Sequence, residues 1–214
     1  MALPLPLQVV PENTINDMRG PIARDIIGWN DLVLAPIASG GIALTAQTFL
    51  DTPFTIQCFR NDFDTGSLAF SFQMSHAWQP GTLVRPHLHL IPLADPAVPE
   101  VAFFVGQYAW MSTSLALAAN AAWTPITGAL TVNPGDVNKM AVLDLTSGNG
   151  IQPPDGIAES DLLLVYVFRD ANNVLDTYST NKVGGTPQCN LGILSSDCHF
   201  QTQKAGGSQE EIPG

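Results

Sequence analysis

Charge is what this chain has least of. Only 13% of its 214 residues are charged, about half the usual share. Cations are the scarcer sign: eight Lys and Arg stand against nineteen Asp and Glu, giving a net charge of −11. With no basic run or Arg/Lys stripe to neutralise phosphates, nucleic acid is excluded as a partner. An anionic membrane surface is excluded on the same ground. The acidity suits solubility or a contact with a basic patch on another protein. By area scaling, a folded monomer of this mass carries roughly one charged side chain per 350 Å², against roughly one per 180 Å² at ordinary composition. A surface so poor in charge is expected to be covered, and identical copies of the chain are the simplest cover.

Cysteine is scarce as well. Cys58, Cys189 and Cys198 are odd in number and lack C-x-x-C spacing. That argues against a disulfide framework and against a zinc knuckle, and fits a reducing cytosol. No uninterrupted apolar run reaches eighteen residues, so no bilayer span is expected. The N-terminus, MALPLPLQVVPENT, lacks a basic stretch and is broken by Pro4, Pro6 and Pro11; it does not read as a signal peptide. Helix signals are rare too. Ser114–Asn120 is the one candidate turn, ended by Trp123-Thr124-Pro125.

What the chain does have is period-2 alternation between Gly/Pro turns. In Leu68–Met74, Leu68, Phe70, Phe72 and Met74 share one face. Strand-like runs begin at Trp29 and continue with Thr55–Phe59, Val84–Leu93, Val101–Met111, Ala129–Asn133, Met140–Leu145, Leu162–Arg169 and Cys198–Gln203. Turn clusters separate them, among them Gln79-Pro80-Gly81, Asn133-Pro134-Gly135-Asp136 and Pro153-Pro154-Asp155-Gly156. The pattern predicts one all-β domain, a jelly roll or β-sandwich over residues 29–203, with Phe70, Phe72, Phe103, Val165 and Val167 in its core. Residues 1–28 read as an extended proline-rich arm, and 204–214 as a flexible polar tail.

Four histidines are present, and two of them, His87 and His89, stand in VRPHLHLIPL. Spaced by two on a strand, both imidazoles leave the same face. The spacing Gly81, five residues, His87-x-His89 matches the first half of a cupin metal motif. A glutamate is then due at 93 or 94, where Leu93 and Ala94 stand. A 2-His-1-carboxylate triad would need the same acid. His199 is a third possible nitrogen. The expectation is therefore no catalytic residue, no bound metal and no cofactor, with His87 and His89 hydrogen-bonded between strands or across a subunit boundary. One of them carries a proton if it meets Asp197 or Glu100. Ser75-His76 makes no catalytic triad, and Asp62 and Asp64 flank a phenylalanine in a solvated turn. Tyr108 and Trp110 share a strand face and read as core or interface. Trp123, with Pro4, Pro6, Pro11, His87 and His89, is a candidate interface residue.

Taken in order, the motifs form a series: Trp29/Asp31/Leu32, Pro86-His87-Leu88-His89, Tyr108-Ala109-Trp110, Phe168-Arg169-Asp170 and Asp176-Thr177-Tyr178. Asp197-Cys198-His199-Phe200-Gln201 and Gly207-Ser208-Gln209-Glu210 complete it. The series resembles small structural proteins of tailed bacteriophages. It departs from their pattern at Leu90, where they carry an aromatic, and at Gln107, where they carry an acid. The resemblance implies a non-enzymatic virion component on a β-sandwich, trimeric, serving as capsid cement or decoration or as part of a head or neck fibre. It implies major capsid or neck proteins as partners beside the chain itself, and a place on the virion exterior after synthesis in the host bacterial cytoplasm. The other reading that the residues leave open is a cupin-like jelly-roll metalloprotein, or a carbohydrate-binding module, using His87 and His89.

Overall fold

The computed structural model describes residues 29–31, 37–38, 45–48, 52–60, 66–112, 123–178 and 189–202. The arm, the tail, the predicted helical turn at Ser114–Asn120 and the Asp62/Asp64 turn lie outside them. Eleven strands lie among the described residues: β1 (Trp29–Asp31), β2 (Ile37–Ala38), β3 (Thr45–Thr48), β4 (Thr55–Arg60), β5 (Ser67–Gln73) and β6 (Val84–Pro92), then β7 (Glu100–Met111), β8 (Thr124–Val132), β9 (Ala141–Asp144), β10 (Leu162–Arg169) and β11 (Cys189–Gln201). No helix occurs among the described residues.

Two antiparallel sheets form. The first runs β3-β4-β11-β6-β9, with β1 also paired to β11; the second runs β2-β5-β10-β7-β8. From β4 onwards the chain passes from sheet to sheet, and only β7 and β8 are sequential neighbours. The orders 4-11-6-9 and 5-10-7-8 are those of a jelly roll, two Greek keys wound together. The expected all-β sandwich is thus present.

Alternation drives the packing. Leu68, Phe70 and Phe72 on β5 and Leu163, Val165 and Val167 on β10 all enter the core, and each fully buried side chain contributes roughly 1.5–3 kcal/mol. Phe59 of the first sheet meets Phe104 of the second edge-to-face, centroids 5.1 Å apart. This corrects one expectation: Phe104, not Phe103, is the core aromatic of β7. VAFFV is apolar at both parities, so alternation alone does not choose the phase. Pairing does, by setting Phe104 opposite the inward-facing Arg169. Tyr108 and Trp110 pack against the core from the same face as Phe104.

Turn glycines lie where the punctuation put them. In Asn133–Asp136 the Asp136 N–H donates to the Asn133 carbonyl at 3.1 Å, with Gly135 at φ +83°, a conformation that favours glycine or asparagine. Gly128 has a different reason: a Cβ there would lie 2.6 Å from the Asp144 carbonyl oxygen. That close approach brings β8, at the end of one sheet, onto β9, at the end of the other.

The cysteines also differ from expectation. Cys58 and Cys189 form a disulfide with Cα atoms 5.7 Å apart, tying β4 to the start of β11. Cys198 is the leftover third, a buried thiol in the core. An odd count concealed a pair separated by 131 residues.

Candidate functional site

On β6 the inward parity is Val84, Leu88 and Leu90, so His87 and His89 project from the outer face of the sheet. On the antiparallel neighbour β11, Cys198 and Phe200 point inwards, which turns Asp197 and His199 outwards. The register sets Asp197 opposite His87, Ser195 opposite His89 and His199 opposite Arg85. An Asp-x-His on one strand therefore meets the His-x-His on the next.

The geometry is tight. His87 Nε2 lies 3.1 Å from His89 Nε2. Asp197 Oδ2 lies 3.7 Å from the first nitrogen and 3.6 Å from the second. The His199 ring packs on His87 with centroids 4.2 Å apart. His87 and Asp197 are only 3% and 2% exposed, whereas the His89 side chain is 23% exposed, so the cluster opens to solvent at His89.

Neighbouring groups orient it. His87 Nδ1 donates to the Arg85 carbonyl at 3.3 Å, which leaves Nε2 with its lone pair turned to the cluster. Asp197 Oδ1 accepts the Cys198 N–H at 2.8 Å. Asp144, opposite His87 on β9, is turned away: its Oδ1 accepts from the Thr146 N–H and hydroxyl at 2.7 and 2.6 Å. Burial holds the His87 imidazole below its ordinary pKa. The Arg85 carbonyl and the Asp197 carboxylate pull the other way without reversing it, and His199 and His89 add to the lowering. His87 is neutral at pH 7. Chemically, the cluster can share a proton or hold a cation.

This is not the cupin half-motif completed in place. The acid comes from β11, over a hundred residues downstream, and the group stands on the outer face while apolar side chains fill the space between the sheets. Asp197 was legible only as a possible partner of the histidines. The signal that could have promoted it is the matching Asp-x-His spacing on a second strand.

A second polar group, unforeseen as a unit, lies inside the sandwich. Arg169, at the end of β10 and 1% exposed, binds Asp176 through Nε and Nη2, both at 2.7 Å. Its Nη1 donates to Asn190 Oδ1 at 2.7 Å, and Nη2 also reaches the Tyr178 carbonyl. Asp176 Oδ2 accepts the Phe103 N–H at 2.9 Å. The Tyr178 hydroxyl donates to the Ala94 carbonyl at 2.7 Å and lies 3.2 Å from that of Asn190. Every strong donor of the guanidinium is engaged, which is what a buried cation requires.

The other sequence candidates do not join either group. Trp123, 40% exposed, stands just ahead of β8 beside a shallow pocket of about 310 Å³ on the second sheet, with Ala69, Ser71, Leu164 and Tyr166. His76 pairs with Glu159 at 3.0 Å in an exposed position. Pro4, Pro6 and Pro11 lie outside the described residues. Neither a protein-family model nor a curated protein matches the chain. Function therefore rests on the residues themselves.

Proposed function

We propose that the chain is a non-enzymatic structural component of a tailed-bacteriophage virion, a capsid cement or decoration protein or part of a head or neck fibre. It assembles with copies of itself as a trimer and docks on major capsid or neck proteins at the particle exterior. The observation that carries this reading is the ordered motif series and the use the fold makes of it. Phe168-Arg169-Asp170 and Asp176-Thr177-Tyr178 supply the buried ion pair and its hydrogen-bonded tyrosine. Tyr108-Ala109-Trp110 packs against the core. Pro86-His87-Leu88-His89 and Asp197-Cys198-His199 lie side by side on adjacent strands. These residues serve the architecture, which suits a building block.

The charge-poor composition supports assembly independently, because a surface with few charges is readily covered by a second copy. The metalloprotein reading has one observation in its favour, the convergence of His87 and His89 on Asp197. Against its cupin form stands the outward direction of that cluster.

Two measurements on the full chain test the proposal. Light scattering should return a mass of three copies of the 22.8 kDa chain; a stable monomer at micromolar concentration would overturn the assembly. The tagged chain should sediment with phage heads or necks, and its absence from purified particles would overturn the virion role.

A further inference from the structure

Asp197 presents an electrostatic problem. Its carboxylate is 2% exposed, and the imidazoles of His87 and His89 are the ionisable groups within ion-pair distance of it among the described residues. No Lys or Arg in that set approaches it. A buried anion needs a compensating cation or several donors, and here one oxygen has a single backbone N–H.

We propose that His87 Nε2, His89 Nε2 and Asp197 Oδ2 form a binding site for one divalent transition-metal ion, zinc by preference, on the outer face of the sheet. The three atoms are separated by 3.1, 3.6 and 3.7 Å. Tetrahedral zinc with bonds of about 2.0–2.1 Å sets neighbouring ligand atoms about 3.3–3.4 Å apart. The observed triangle brackets that value, so an ion fits with shifts of tenths of an ångström. Two imidazoles and a carboxylate suit zinc and its first-row neighbours, and disfavour magnesium and calcium, which take oxygen ligands. The Nδ1–H bond from His87 to the Arg85 carbonyl is the outer support that ligating histidines usually have. Water or a further side chain completes the coordination, and entry is from the His89 side.

The site needs no acid at 93 or 94, because β11 delivers Asp197 across the ladder. Two strands are tied by it, so the metal is expected to be structural: binding free energy to the native state adds to stability. The inference is independent of the virion proposal, since any jelly roll with this cluster would bind the ion.

The test uses the full-length protein, stripped with chelator and titrated with Zn²⁺ and, separately, with Co²⁺. One ion per chain should bind, with visible d–d absorption for Co²⁺ typical of low coordination number, and Zn²⁺ should raise the thermal midpoint. His89→Gln and Asp197→Asn should each weaken Zn²⁺ binding by at least about tenfold, while His76→Gln, at the other histidine–carboxylate pair, should leave it unchanged. If wild-type protein takes up no stoichiometric Zn²⁺ or Co²⁺, the proposal is wrong, whatever the variants do. It is equally wrong if the double variant His87→Gln/His89→Gln, folded by circular dichroism, binds as the wild type does.

Discussion

The residue whose loss should be felt most is Asp176. It holds the Nε and Nη2 edge of the Arg169 guanidinium and accepts the Phe103 N–H. Removing one partner of a buried pair strands the other, at a cost of about 3–5 kcal/mol. Asp176→Ala should therefore lower the urea midpoint by that equivalent, and a loss under about 1 kcal/mol would mean that water already reaches the guanidinium. Tyr178 gives a pH dependence. Burial pushes its hydroxyl up to about 12 from an ordinary 10, against smaller opposing effects of the Ala94 hydrogen bond and Arg169. A group with a raised folded-state pKa contributes stability that is complete below the unfolded value and lost as pH climbs through the folded one. The contribution is thus intact up to about pH 10 and disappears towards pH 12. In urea titrations across that window, Tyr178→Phe should lose less stability than wild type. Equal slopes would refute the assignment.

At the scale of elements, β11 is the strand on which the molecule depends. It pairs with β6 along one edge and with β4 and then β1 along the other, and it supplies Asn190, Asp197 and His199 to the two polar groups. Its irregular register between Ile193 and Ser195 lets one strand serve both ends. The bridge from Cys58 to Cys189 anchors its beginning. Closing a loop of 131 residues is worth about 5 kcal/mol on chain-entropy grounds, and measured values run from about 2 to 5. Adding reductant to the wild type should lower the urea midpoint accordingly, and Cys58→Ser should match the reduced protein with no further response. An unchanged midpoint under reductant would show that the bridge is absent in solution.

For the whole molecule, the question is what covers the sheet surfaces. Met140 and Val142 are 63% and 51% exposed beside the first sheet's β9 edge, and Phe54 is 70% exposed. With 27 charged side chains in all, such positions are poorly screened from association. Under the trimer proposal, deletion of residues 1–20 should reduce the light-scattering mass or weaken capsid attachment while the circular dichroism of the sandwich persists. A truncated chain with undiminished mass and attachment would remove the arm from the assembly. Melting of the sheet on truncation would make the arm part of the fold.

Nine of the described strands, β1 and β4 to β11, were legible wholly or in part as strand-like runs between Gly/Pro turns, because both signals are local. Residues 124–128 and 189–197 extend β8 and β11 beyond what that pattern marked. Their polar or glycine-bearing residues are held by partners and not by their own periodicity. The His-x-His pair and its shared face were equally local, since the side-chain direction of a strand repeats every two residues. Everything that depends on which strands become neighbours was decided by tertiary structure. A jelly roll pairs β6 with β11 and β4 with β11, so Asp197 reaches His87 and Cys189 reaches Cys58 across more than a hundred residues. The same pairing chose Phe104 over Phe103, because two adjacent phenylalanines satisfy either parity until β10 sets the register.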